Sequence, residues 1–129
     1  MSVRIQAEIH DGPLPPQVPG EDWPDAGAVI TFLGIVRPTE NGRLLIALDY
    51  ETYDPMAANM LRERAEKVAT QYNLLGVYVE HSRGRVPVGQ CSFRLTIASA
   101  HRQEGLQAMA GFIDQMKQDV PIWKTAVWA

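Results

Sequence analysis

Five basic side chains in this sequence are spaced so that they could handle an anion. His101 and Arg102 open a long amphipathic stretch, Lys117 stands in its last turn, and Lys124 follows a proline at 121. Arg37 ends an apolar run far upstream. An arginine grips phosphate or carboxylate through a rigid fork of donors. A histidine moves a proton near neutral pH. A lysine can anchor an anion or an oxyanion, or shuttle protons if its pKa is lowered. Each also has a plain reading. Lys117 suits a helix C-terminus, where the dipole favours a cation. Arg102 opposes the dipole unless an anion binds the free N–H groups there. Arg37 alone reads as a surface residue. Residue chemistry leaves these alternatives open.

Other chemistries find less support. His10, His81 and His101 lack the cysteine neighbours or paired spacing of a zinc site. No serine occupies a nucleophile elbow, and no glycine-rich phosphate loop precedes a lysine. Cys91 is the one thiol and lies far in sequence from the basic set, which suggests a structural role. His81 reads as a structural hydrogen-bonding histidine. The run His81–Arg85 reads as a small basic loop.

The elements that must position these residues follow from periodicity. Val3, Ile5, Ala7 and Ile9 alternate with polar residues and predict a strand. Residues 11–24 carry five prolines and predict a loop, with Trp23 plugging the edge of the core. Residues 28–36 predict a buried central strand, with a bulge or close approach at Gly34. Asn41-Gly42 predicts a tight turn, and residues 28–37 and 44–52 are expected to pair. Leu44, Ile46, Leu48 and Tyr50 should share a face. Asp54-Pro55 predicts a helix start with aspartate as cap, the helix running to about Asn73 with Met56 and Met60 in its buried stripe. Arg62 and Arg64 fall on its solvated face. Residues 75–80 predict another strand, and Phe93, Leu95 and Ile97 form the last strong one, with Cys91 near its start. Leu106, Met109, Ala110, Ile113 and Met116 recur at helical spacing, and Pro121 ends that helix. Gly105 and Gly111 suggest close packing on a sheet. A short tail strand completes an α+β pattern with helices on a largely antiparallel sheet.

With 129 residues and 46% apolar content, the chain suits one domain over 1–129 with a real core. Its formal charge of −3 does not favour nonspecific nucleic-acid binding. No apolar run is long enough to span a membrane, and no signal-like N-terminus is visible. A single cysteine fits a reducing compartment, so a cytoplasmic location is expected.

Ser99-Ala100-His101-Arg102, Lys117 and Pro121-Ile122-Trp123-Lys124 resemble the large, catalytic subunit of molybdopterin synthase. Phe32-Leu33-Gly34-Ile35-Val36-Arg37, Tyr50-Glu51-Thr52-Tyr53 and Met56 extend the resemblance upstream in the expected order. The resemblance implies an α/β-hammerhead fold, dimerised through its sheet. It implies a sulfurtransferase that uses no cofactor of its own. Two sulfurs would pass from the Gly-Gly thiocarboxylate of small ubiquitin-like carrier subunits to cyclic pyranopterin monophosphate, forming the molybdopterin dithiolene. The assembly implied is a heterotetramer with a homodimeric core. Lys117 and Lys124 would be catalytic, and Arg37, His101 and Arg102 would bind substrate. His101 and Arg102 lie a helix length from Lys117, so a neighbouring subunit is expected to supply them. The family continues past Trp123-Lys124 with a basic residue, a glutamate and a longer tail, where this chain reads Thr125 to Ala129 as a shortened tail. Two rivals fit the same residues: a noncatalytic carrier-binding homologue, and an anion-binding dimeric structural module.

Overall fold

The computed structural model describes residues 3–15 and 22–129. The strands are β1 (Arg4–Asp11), β2 (Ala28–Ile35), β3 (Thr39–Glu40), β4 (Arg43–Thr52), β5 (Gly76–Pro87), β6 (Cys91–Ser99) and β7 (Ile122–Trp128). The helices are α1 (Met56–Gln71) and α2 (Arg102–Asp119). Seven strands form a mixed sheet in the order β2-β6-β5-β4-β3, with β1 parallel on β5 and β7 antiparallel on β4. The remaining pairs are antiparallel, so the α+β pattern expected from the sequence is present.

β5 holds the sheet together. Its first half, Gly76–His81, pairs with β6, and its second half, Gly84–Pro87, pairs with β4. The expected basic loop over His81–Arg85 is therefore a strand. Gly84 accommodates the change of partner with a φ of 86°, which a side chain would strain. The arginines of this stretch are engaged by aspartates. Arg83 pairs with Asp11 and Asp54, and Arg85 Nε donates to Asp49 at 2.9 Å. Both guanidiniums hold their carboxylate partners Asp11 and Asp49 below the ordinary range.

Two apolar clusters follow from this division. The larger lies between the helices and the β1-β5-β6 part of the sheet, and includes Leu61, Val77, Leu95, Ile97 and Phe112. The smaller joins Val36, Leu45, Leu48 and Val86 around β4.

Several expectations change. β2 pairs with β6 and not with β4, because Pro38 and the β3–β4 ribbon turn the chain away after Val36. β2 is thus an edge strand, with Val29, Phe32, Leu33 and Ile35 each more than two-fifths exposed. The irregularity expected at Gly34 is present as a register shift between Gly34 and Ile35. A shift between Leu45 and Ala47 turns Leu44 and Ile46 outward, while Leu45 and Leu48 are buried. α1 starts at Met56 with no side-chain cap, since Asp54 takes the Thr52 hydroxyl and Arg83. Met56 is exposed. Arg64 leaves the solvated face to bond Asp119 of α2. The buried face of α2 is Gly105, Ala108, Met109, Phe112 and Met116, which leaves Leu106 and Ala110 outside. Gly105 does pack closely, since a Cβ there would sit 2.7 Å from the Ser99 Oγ, whereas at Gly111 it would make an ordinary contact. Trp23 covers Gly76 and tilts against Tyr78, as its plugging role requires. Of the expected proline loop, residues 16–21 lie outside the described residues.

Candidate functional site

A cavity of about 430 Å³ opens at the seam between the two parts of the sheet. Arg37 reaches it from the end of β2, Lys117 from the last turn of α2, and Lys124 from β7. The Pro121 break brings the two lysines together. It ends α2 and lets β7 run back along β4, so that Lys124 stands directly opposite Tyr50. Arg37 and Lys117 are exposed and have no ion-pair partner among the described residues. Lys124 Nζ lies 3.3 Å from a Glu40 carboxylate oxygen.

The floor is a row of rings. Tyr50 meets His81 edge-on at 5.0 Å between centroids, His81 lies 5.8 Å from Phe93, and Phe93 lies 6.0 Å from Phe32. The Tyr50 hydroxyl is 2.9 Å from the Ser92 hydroxyl. His81 is buried, and its Nδ1 donates to the Ser82 carbonyl at 2.8 Å, which leaves Nε2 as the acceptor. Burial pushes the His81 imidazole below its ordinary value of 6.5, against the opposing pull of that carbonyl.

The His81 shift has a consequence for stability. Well above pH 6.5 the ring is neutral in both states. Below it the unfolded chain binds a proton that the folded chain resists, so stability falls as pH falls. The slope from this group is at most about 1.4 kcal/mol per pH unit. Urea unfolding at pH 7.5 and 5.5 should show the loss in the wild type and a smaller loss in His81→Phe. Equal losses in the two proteins would remove His81 as the cause.

His101 and Arg102 lie elsewhere. They open α2 and are exposed, at a distance of about 22 Å along the helix axis from Lys117. His101 Nδ1 is 3.1 Å from a Glu104 oxygen, and the Ser99 hydroxyl donates to the His101 carbonyl at 2.6 Å. One chain therefore gathers Arg37, Lys117 and Lys124 and leaves the other two apart. Cys91 is buried, with its thiol on the Phe93 carbonyl, and does not line the cavity.

Three cations over an aromatic floor suit a ligand with an anionic end and a flat or apolar body. The family model described as MoaE protein matches residues 16–119. This chain belongs to the MoaE family. It is 38% identical to the molybdopterin synthase catalytic subunit of Arabidopsis thaliana, over 81% of this chain and 53% of that protein. The chain spans about half to three quarters of the length of the curated relatives it matches. Among solved structures, the molybdopterin synthase of Staphylococcus aureus superposes with a TM-score of 0.85 at 26% identity, over 96% of this chain and 92% of that one. A chain from the Helicobacter pylori complex of subunits 1 and 2 of molybdopterin-converting factor superposes at 0.71 with 22% identity, over 97% and 89%. That last likeness is one of fold.

Two features are not legible in the sequence, Glu40 in the cavity and Arg94 outside it. Glu40 sits beside an Asn-Gly turn and looks like an ordinary solvated glutamate, and its partner is far along the chain. The buried Arg94, held by Glu80 at 3.2 Å and the Pro15 carbonyl, stands in an alternating strand that reads as routine.

Proposed function

We propose that the chain is the catalytic subunit of a molybdopterin synthase. The observation that carries this reading is the convergence of Arg37, Lys117 and Lys124 on one cavity. The substrate is cyclic pyranopterin monophosphate, and the sulfur donor is a small carrier protein ending in a Gly-Gly thiocarboxylate. Both present anions to the same cations. The thiocarboxylate sulfur attacks a side-chain carbon of the pterin and displaces an oxygen from it, which leaves as water or as the opened arm of the cyclic phosphate. Water then adds to the acyl carbon, the carbon–sulfur bond of the resulting thioester breaks, and a carboxylate and a proton are released. Two such deliveries make the dithiolene.

The residues divide the work by reach and charge. Lys117 holds the thiocarboxylate and stabilises the oxyanion at the acyl carbon. Lys124 positions the carrier tail. Arg37 clamps the substrate phosphate, and the ring floor receives the flat pterin. His101 and Arg102 serve the cavity of a neighbouring copy, in a homodimer that carries one small subunit at each end. The exposed apolar residues of edge strand β2 suit a surface that another chain covers. A reducing cytoplasm suits both the thiocarboxylate and the buried thiol of Cys91.

Reconstitution tests the reading. The chain, mixed with thiocarboxylated carrier and cyclic pyranopterin monophosphate, should form dithiolene product, and light scattering should find a dimer that gains two carriers. Arg37→Ala should raise KM more than it lowers kcat, since it removes a phosphate clamp. Carrier binding without product would favour a noncatalytic homologue.

A further inference from the structure

One carboxylate, that of Glu40, lines the cationic cavity among the described residues. Local geometry puts it there. Thr39 and Glu40 make up β3, and Asn41 and Gly42, with φ of 52° and 77°, turn the chain straight back so that Glu40 faces Arg43. Arg37 lies at the base of the same ribbon. A hairpin of a few residues thus hangs one cation and one anion over the cavity, and the anion reaches the Lys124 Nζ at 3.3 Å.

The pair is open to water on its lysine side and partly covered on its glutamate side. The Lys124 side chain is 52% exposed and that of Glu40 27%. An ion pair so exposed is held weakly and is screened by salt. A buried pair would resist exchange, because removing one partner strands the other charge. Here an arriving anion can take the ammonium while the Glu40 carboxylate turns to water.

We propose that Glu40 is the resident counter-ion of Lys124, a placeholder that the carrier's C-terminal thiocarboxylate displaces when it enters. The identity of the displacing group rests on the synthase reading; the exchange itself does not. Glu40 thereby sets the affinity of the cavity for anions. It also selects for charge, since a tail ending in a carboxamide has no negative group to offer Lys124 and leaves the pair closed.

Calorimetric titration of the whole chain tests this with two ligands, inorganic pyrophosphate and the thiocarboxylated carrier. At low salt Glu40→Gln should bind each about two- to fivefold more tightly than the wild type, the range an exposed ion pair allows. The difference should shrink as salt rises. Glu40→Asp keeps the charge and should stay near the wild type. Gln keeps the size of the side chain, and circular dichroism verifies the fold. A merely structural ion pair would weaken binding on its loss, so unchanged or weaker pyrophosphate affinity in Glu40→Gln overturns the proposal. Tighter pyrophosphate binding with no carrier binding by either protein supports the exchange and removes the synthase reading. Carrier binding of equal strength in both proteins overturns Glu40 as the carrier's placeholder while the synthase reading stands.

Discussion

Lys117→Ala should abolish dithiolene formation and leave the protein folded. Lys117 is exposed in the last turn of α2 and lines the cavity without an ion-pair partner among the described residues. Its ammonium is thus available to a ligand. Its neighbour Met116 is buried and carries the packing of that turn, so removing the lysine leaves the core intact. The stability cost should be that of a cation at a helix C-terminus, about 0.3–1 kcal/mol. The kinetic cost should be far larger. A donor that stabilises an acyl oxyanion contributes on the order of 10²–10³ in kcat. The measurement is product formation per chain at saturating carrier and pterin, with thermal melting run on the same samples. Carrier binding should survive in part, because a protein interface spreads over many residues. A folded Lys117→Ala protein with near-normal turnover would leave Lys117 only its dipole role and would move the chemistry to Lys124.

Much of the fold was legible because its signals are local. Alternation at Ile5, Ala7 and Ile9, and the proline stop at 121, need only neighbours in sequence. Partner choice is not local. Residues 28–35 and 44–52 are joined by a turn sequence that suits a hairpin, yet β2 finds β6 some sixty residues on. Nothing near Thr31 foretells that its hydroxyl will meet that of Thr96 at 3.1 Å. The outward turn of Leu44 and Ile46 has the same origin, since one irregularity in the β4–β7 ladder changes which residues face inward. The site divides along the same line. Lys117 and Lys124 flank a proline, so their meeting could be read from the chain. Arg37 required a resemblance to single it out. Glu40 required the fold, because its partner in β7 is distant in sequence and its surroundings are those of any polar turn.

Mixing two inactive variants should restore activity if each cavity is completed by a second copy of the chain. His101 and Arg102 stand at one end of α2, about 22 Å along its axis from Lys117. Neither lines the cavity that holds Lys117, Lys124 and Arg37. A group at that distance cannot touch a substrate held by Lys117 in its own chain. It can do so across a two-fold interface, where the same pair of residues is presented reciprocally to the neighbour. Lys117→Ala and Arg102→Ala should each be nearly inactive alone, the first through the chemical step and the second through substrate binding. In a mixed dimer, the cavity that keeps its own Lys117 receives Arg102 from the Lys117→Ala partner and is intact. The other cavity lacks both groups. Random exchange makes about half the dimers mixed, each with one working cavity of two, so the equimolar mixture should recover about a quarter of wild-type activity per chain. Two affinity tags verify that subunits have exchanged, and tandem purification of the mixed dimer should raise recovery to about half. A purified mixed dimer as inactive as its parents would return Arg102 to the cavity of its own chain or to a structural role. Full activity of Arg102→Ala alone would remove it from the site altogether.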